Sequence, residues 1–234
     1  MLSKKPESQR RTLCESTDSA PSLHHQFNLK YSIPHIKGKE VLDIGCWTGQ
    51  FEQLIQKHTK SITGVDPNKK AISFAKKHIK NAKFVVSTAE KLPFKKNRFD
   101  TVTIMDVIEH VPVGEELQVL LEIKRVLKTK GTLILSTPSR HPISILLDPA
   151  YFLIGHRHYS IEGLEILLLE AGFKIKTFKH VGNIWELLFH NLELLLKHTI
   201  KVSISKPKWL EKQINEGYES NGFSEVYLVA KKID

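Results

Sequence analysis

The run Val41-Leu42-Asp43-Ile44-Gly45-Cys46-Trp47-Thr48-Gly49 constrains this chain more than any other stretch. Val41, Leu42 and Ile44 form a short apolar segment, as in a strand buried on both faces of a parallel sheet. A glycine turn follows, and then Phe51, Leu54 and Ile55 recur at helical spacing. In an α/β unit of this kind, ligands settle beyond the carboxyl ends of the strands. Gly45 and Gly49 allow a sharp turn and close backbone approach, which a Cβ would obstruct. An ordinary strand-to-helix turn has the same glycines, so the downstream sequence has to decide.

Downstream, strands and helices alternate. Residues 61–66 read as a second strand ending in Asp66, and Asn68 can cap a lysine-rich helix whose inner face is Ala71, Ile72, Ala75 and Ile79. Strands are predicted at 83–87 and 99–106, an amphipathic helix at 115–127, and a fifth strand from Gly131 through Leu135 to a turn at Pro138. Residues 160–171 make a helix capped by Ser160 and closed by Gly172, and 174–181 and 225–233 supply a sixth and a seventh strand. The pattern predicts an α/β protein with a doubly wound, mostly parallel seven-stranded sheet.

Residues 1–22 are polar and read as a disordered tail, with 23–234 as a single domain and 24–36 as a helix over the ligand end. No signal-peptide pattern and no bilayer-spanning apolar run is visible. Cys14 falls in the tail and Cys46 in the glycine turn, which disfavours a structural disulfide and favours a cytoplasmic setting. The formal charge of +10 is concentrated. Between Lys57 and Arg98 stand twelve Lys or Arg against only Asp66 and Glu90. A solvated helix explains that segment; a face for anionic lipid or nucleic acid is the sharper reading.

The ordered set of Val41–Gly49, Gly64-Val65-Asp66, Ala89-Glu90-Lys91-Leu92-Pro93-Phe94, Phe99-Asp100 with Asp106-Val107-Ile108-Glu109-His110-Val111, and Leu127 with Lys130-Gly131-Thr132 resembles the class I S-adenosylmethionine-dependent methyltransferases. The similar group is the one that includes the ubiquinone-type O-methyltransferases, and the resemblance runs closely over residues 29–172. It implies an antiparallel closing strand, S-adenosyl-L-methionine as cofactor and methyl transfer as activity. Asp66 would accept the ribose hydroxyls, while Asp43 and the turn amides around Gly45, Cys46 and Gly49 would hold the amino-acid half. Ala89 and Glu90 would lie by the adenine, between Pro67 and Val107, with Asp106 near them. Two positions depart from the family: Trp47 stands where glycine is usual, and Thr88 where many relatives carry an acid. An ordinary φ at Trp47, with the indole outward or over the cofactor, is the expectation.

The cofactor carries the electrophile, so the protein must align an acceptor and exclude water. A hydroxyl acceptor also needs a base, for which His110 is the first candidate and His158, in the cluster His156-Arg157-His158-Tyr159, the second. A metal at His156 and His158 lacks a third ligand nearby in sequence, so none is expected. Two additions are unusually apolar, 143–154 and 184–200. The second reads as a helix with Glu186, His190, Glu193 and Lys197 on a narrow polar stripe. Such faces are buried, paired in a homodimer, or pressed on a membrane. The leading expectation is O-methylation of a small hydrophobic or lipid-linked acceptor, with peripheral contact at the inner membrane face. An RNA methyltransferase is a weaker alternative, since the Asn/Asp-Pro-Pro-aromatic run is missing. A non-catalytic partner protein with a disabled turn is another, and a nicotinamide enzyme lacks its Gly-x-Gly-x-x-Gly spacing.

Overall fold

The computed structural model describes residues 23–202 and 204–233. The tail assigned to residues 1–22, with Cys14, lies outside them. Helix α1 (Leu23–Ile36) precedes β1 (Glu40–Ile44), and α2 (Gln50–Ile55), β2 (Ser61–Asp66), α3 (Lys69–His78), β3 (Lys83–Val86), β4 (Phe99–Met105), α4 (Glu116–Val126) and β5 (Leu127–Pro138) follow. Then come α5 (Pro142–Leu146), α6 (Pro149–Ile154), α7 (Ile161–Glu170), β6 (Phe173–Val181), α8 (Ile184–Thr199), α9 (Lys208–Glu219) and β7 (Glu225–Lys232).

The strands form one sheet in the order β3-β2-β1-β4-β5-β7-β6. Strand β1 pairs in parallel with β2 and β4, while β7 inserts antiparallel between β5 and β6. This is the expected sheet with its reversed closing strand. The chain works outward from β1 to β3 and then returns to β4, so the switch point falls where the glycine turn leaves β1. Asp43 lies opposite Gly64 of β2 and Thr103 of β4. Gly45, Asp66 and Asp106 therefore emerge together at one end.

Alternation along the strands divides the core into two faces. Leu42, Ile44, Val102, Ile104, Leu133 and Leu135 pack with Val119, Leu120 and Ile123 of α4 and Leu164 and Leu168 of α7. Val41, Ile62 and Ile134 pack with Ile36 of α1 and Ile55 of α2. Each large apolar side chain so buried contributes roughly 1.5–3 kcal/mol against exposure. Local signals act as expected: Asn68 accepts the amides of Lys70 and Ala71, Ser160 accepts that of Gly163, and Gly172 ends α7 at φ +80°.

Two elements differ from expectation. Strand β5 starts at Leu127, which pairs with Phe99 ahead of a register break. Helix α9, unforeseen in a Lys- and Glu-rich stretch, buries Leu210, Ile214, Gly217 and Tyr218 along one face.

Candidate active site

Gly45 and Gly49 both have φ +84°. A Cβ on Gly45 would fall 2.2 Å from Val107 Cγ2, and one on Gly49 2.5 Å from Ile79 Cδ1. Between them Trp47 has φ +47°, which corrects the expectation of an ordinary backbone there. That conformation costs an L-residue about 1–2 kcal/mol, because Cβ crowds the following carbonyl. The Trp47 amide donates to Asp66 Oδ2 at 3.1 Å and the Asn68 amide to Oδ1 at 2.7 Å, so the acid at the end of β2 holds the turn in place. The Gly45 and Cys46 amides both point back to the Val65 carbonyl, at 2.8 and 3.1 Å. The role expected of these turn amides, holding the amino-acid half of a cofactor, is thus corrected: they are engaged within the protein. What the turn offers there is close approach rather than donors. Cys46 is buried and burial pushes its thiol up, so it packs rather than reacts. Ala89 is buried, Glu90 and Val107 are half-buried, and Pro67 is exposed.

Asp43 is buried and accepts the Thr103 hydroxyl. Burial pushes its carboxyl up to about 7. Glu52 of α2, absent from the sequence expectations, is fully buried, with Asp43 as its side-chain hydrogen-bond partner and no donor group of another residue on its carboxyl oxygens among the described residues. Gly64 makes room for it, since a Cβ there would lie 2.3 Å from Glu52 Oε1. Burial first, then the Asp43 charge, raises Glu52 well above the carboxylate range. Two neighbouring buried acids resist joint ionisation, and the Asp43–Glu52 pair is where that resistance falls. The one signal of Glu52 in sequence was its place between Phe51 and Ile55 on the inward arc of the helix.

Residues 42–135 match the methyltransferase domain family. That stretch is what this chain shares with methyltransferase domains. The chain is 34% identical over 125 residues to a ubiquinone biosynthesis O-methyltransferase of Coxiella burnetii, covering 51% of this chain and 53% of that one. It is 32% identical over 105 residues to a demethylmenaquinone methyltransferase of Thermotoga maritima, covering 44% and 45%. The chain thus spans about half the length of the curated relatives it matches. The fold is similar to the crystal structure of an S-adenosylmethionine-dependent methyltransferase from Archaeoglobus fulgidus, with a TM-score of 0.63, 22% identity and coverage of 90% and 93%.

The methyltransferase domain implies S-adenosylmethionine as cofactor, and the residues present fit it. Asp66 is buried, fixed by two amides and in no ion pair among the described residues; burial raises its pKa. An acceptor so placed has lone pairs left for two ribose hydroxyls. The glycine turn beside it packs closely on Val107 and Ile79 and so brings its backbone up to the same end of the sheet.

His110 ends a 3-10 turn at Ile108–His110 directly after β4, and its side chain is exposed. Its ring stacks on His156 at a centroid distance of 4.8 Å. Arg157 fixes that turn. Its guanidinium donates to the carbonyls of Ile108 (2.7 Å), Glu109 (3.2 Å) and Val111, and to the Glu116 carboxylate. His158 is placed differently from expectation. Nδ1 faces the Ser139 carbonyl at 2.8 Å and Nε2 faces Asp148 Oδ2 at 2.9 Å, which leaves no ring nitrogen for an acceptor. The fold also brings Asp148 against His156, supplying the third potential ligand that the local sequence lacked.

Asp106, which emerges at the same end as the turn, is engaged by other partners. Its Oδ1 accepts the Ser136 hydroxyl and its Oδ2 lies 2.9 Å from His24 Nε2 of α1. Burial opposes a charge on His24, but Glu225 and Asp106 outweigh it and push the imidazole up to about 10. The pair fastens α1 over the ends of β4 and β7.

The apolar additions are exposed. In α5 and α6, Leu146, Phe152 and Leu153 are 71%, 65% and 72% accessible. In α8, Phe189 turns inward, while Trp185, Leu188, Leu192 and Leu195 face out. Glu186, assigned to the polar stripe, instead faces the interior and accepts the Tyr218 hydroxyl. Asn191 of α8 donates to the Leu147 carbonyl at 2.6 Å, and Trp185 meets Trp209 edge-on at 5.9 Å, so these segments adjoin.

Proposed function

We propose that the chain is an S-adenosylmethionine-dependent methyltransferase that acts on a hydroxyl of a hydrophobic, lipid-linked acceptor of quinone type, met at a membrane surface. The observation that carries this reading is the exposed apolar face of α5, α6 and α8. It leaves the sheet at its ligand end and adjoins the turn that bears His110. The names of the two relatives, which concern ubiquinone and menaquinone, support the same class of acceptor. Bound cofactor supplies a methyl group on a sulfonium. The protein's part is to hold the ribose side through Asp66, position the acceptor beside His110, and keep water out with α1 and the apolar segments. His110 takes the proton of the acceptor hydroxyl, a contribution worth about 10²–10⁴-fold.

Among the described residues no helix is long and apolar enough to cross a membrane, and the proposed contact is peripheral. The basic segment 57–98 builds the β2–β3 edge, whereas α8 follows β6 at the other edge. Attraction to anionic headgroups therefore falls to Lys201, Lys206, Lys208 and Lys212 around α8 and α9, at about 1 kcal/mol for each lysine near the surface.

The test compares methyl transfer from labelled S-adenosylmethionine to a soluble catechol and to a polyprenyl-tailed catechol in liposomes. A kcat/KM at least tenfold higher for the tailed acceptor is expected. Equal values would refute the lipid-linked acceptor, and failure to bind cofactor at all would point to the non-catalytic alternative.

A further inference from the structure

Asp148, His156 and His158 form a compact donor set that methyl transfer does not use. Asp148 Oδ1 accepts the Ala150 amide at 2.9 Å and caps α6. Its Oδ2 lies 2.5 Å from His156 Nδ1 and 2.9 Å from His158 Nε2. The two histidines are two residues apart on an extended segment, so their rings share a side while Arg157 points away toward the Ile108 carbonyl. The three donor atoms lie within 4.8 Å of one another, and the side chains are 16%, 15% and 3% accessible.

The hydrogen-bond geometry leaves a place for a cation between them. A carbonyl only accepts, so His158 Nδ1, which faces Ser139 O, carries a proton. In a neutral imidazole, Nε2 then aims a bare lone pair at the Asp148 carboxylate, and two acceptors confront each other. Either His158 is doubly protonated or a cation lies between the lone pairs. Metal-bound histidines are commonly oriented in this way, with the far ring N–H donated to a backbone carbonyl. Glu109 Oε1 lies 3.9 Å from His156 Nε2, the ring nitrogen turned away from Asp148.

We propose that Asp148, His156 Nδ1 and His158 Nε2 bind a divalent transition-metal ion, zinc(II) by its ligand set, with a fourth position open to water. Two imidazoles and one carboxylate select zinc, cobalt, nickel or copper over magnesium and calcium. Zinc bonds of about 2.0–2.2 Å put tetrahedral donors about 3.3–3.5 Å apart, so Asp148 need withdraw by less than about 1 Å. The ion ties the start of α6 to the segment after its end and thereby pins the apolar addition to the Ser139 end of the sheet. It also sits one stacked ring from His110.

The test uses the full chain, stripped with chelator and titrated with zinc(II) alone by calorimetry, with cobalt(II) absorption as the second reading. One ion per chain at micromolar or tighter affinity is expected, with the intense visible bands of tetrahedral cobalt. Asp148→Asn and His158→Gln should each weaken binding at least 10²-fold, and His58→Gln should leave it unchanged. Equal zinc affinity in wild type and both variants would place the ion elsewhere and overturn the proposal. Absence of binding to wild type at micromolar zinc would also overturn it, leaving imidazolium–carboxylate pairs. Should a variant fail to fold, the wild-type cobalt spectrum decides, since weak octahedral bands refute the site.

Discussion

The backbone amide of Trp47 donates to the carboxylate of Asp66 at 3.1 Å, so the left-handed residue of the turn and the acid at the end of β2 form one unit. Asp66→Ala removes both the proposed ribose acceptor and the brace of the turn. Affinity for S-adenosylmethionine or its demethylated product, measured by calorimetry, should fall by roughly 1.5–3 kcal/mol. An unchanged affinity would place the ribose elsewhere.

Trp47→Gly relieves the left-handed strain while keeping the amide that Asp66 accepts. Stability in urea should rise by about 1 kcal/mol, with cofactor affinity within about tenfold of wild type, or about 1.4 kcal/mol. A much tighter mutant would show that the indole obstructs the site.

His110→Ala should lower turnover by roughly 10²-fold with little change in cofactor affinity. His158→Gln should affect turnover far less, because both of its ring nitrogens have protein partners. The reverse ranking in single-turnover rates would reassign the base.

His24 gives stability a pH signature. Its folded pKa of about 10 exceeds the unfolded value of 6.5, so its pairing with Glu225 and Asp106 is fully present below about 6.5 and is lost as pH rises through about 10. His24→Gln should cost roughly 1–3 kcal/mol at pH 6 and flatten the decline between pH 7 and 10. A parallel decline in wild type and variant would refute the assignment.

Phe152→Glu with Leu195→Glu should abolish co-sedimentation with anionic liposomes at low salt, since each exposed side chain gives up roughly 1.5–3 kcal/mol of apolar burial. Wild-type binding should weaken as salt screens the lysines. Salt-independent binding that survives both changes would refute the surface model.

The sheet was legible because its signals are local: Val41, Leu42 and Ile44 are buried on both faces, Asn68 and Ser160 cap as their types require, and glycine ends α7. Glu52 was not legible, since its burial depends on Gly64 in another strand. The φ of Trp47 depends on Asp66, nineteen residues on, and no propensity encodes it. Asp148 and His158 are ten residues apart, yet only the folding back of α6 joins them. The inward period of Leu210, Ile214 and Tyr218 was present in the sequence and could have shown α9.

Helix α1 is seated by late parts of the chain. Phe27 stacks on Tyr218 of α9 and meets Tyr227 of β7 edge-on, and the Tyr227 hydroxyl donates to Asn28 across 199 residues. The N-terminal half of α1 therefore lacks these partners until α9 and β7 have formed, while its C-terminal end already packs through Ile36 on α2. Contacts of such span form late, after the loop-closure entropy has been overcome. The ligand end of a nascent chain stays uncovered until β7 has emerged, and a ribosome stalled before it would hold α1 by its Ile36 end alone, with Phe27 and Asn28 still unpartnered by Tyr218 and Tyr227.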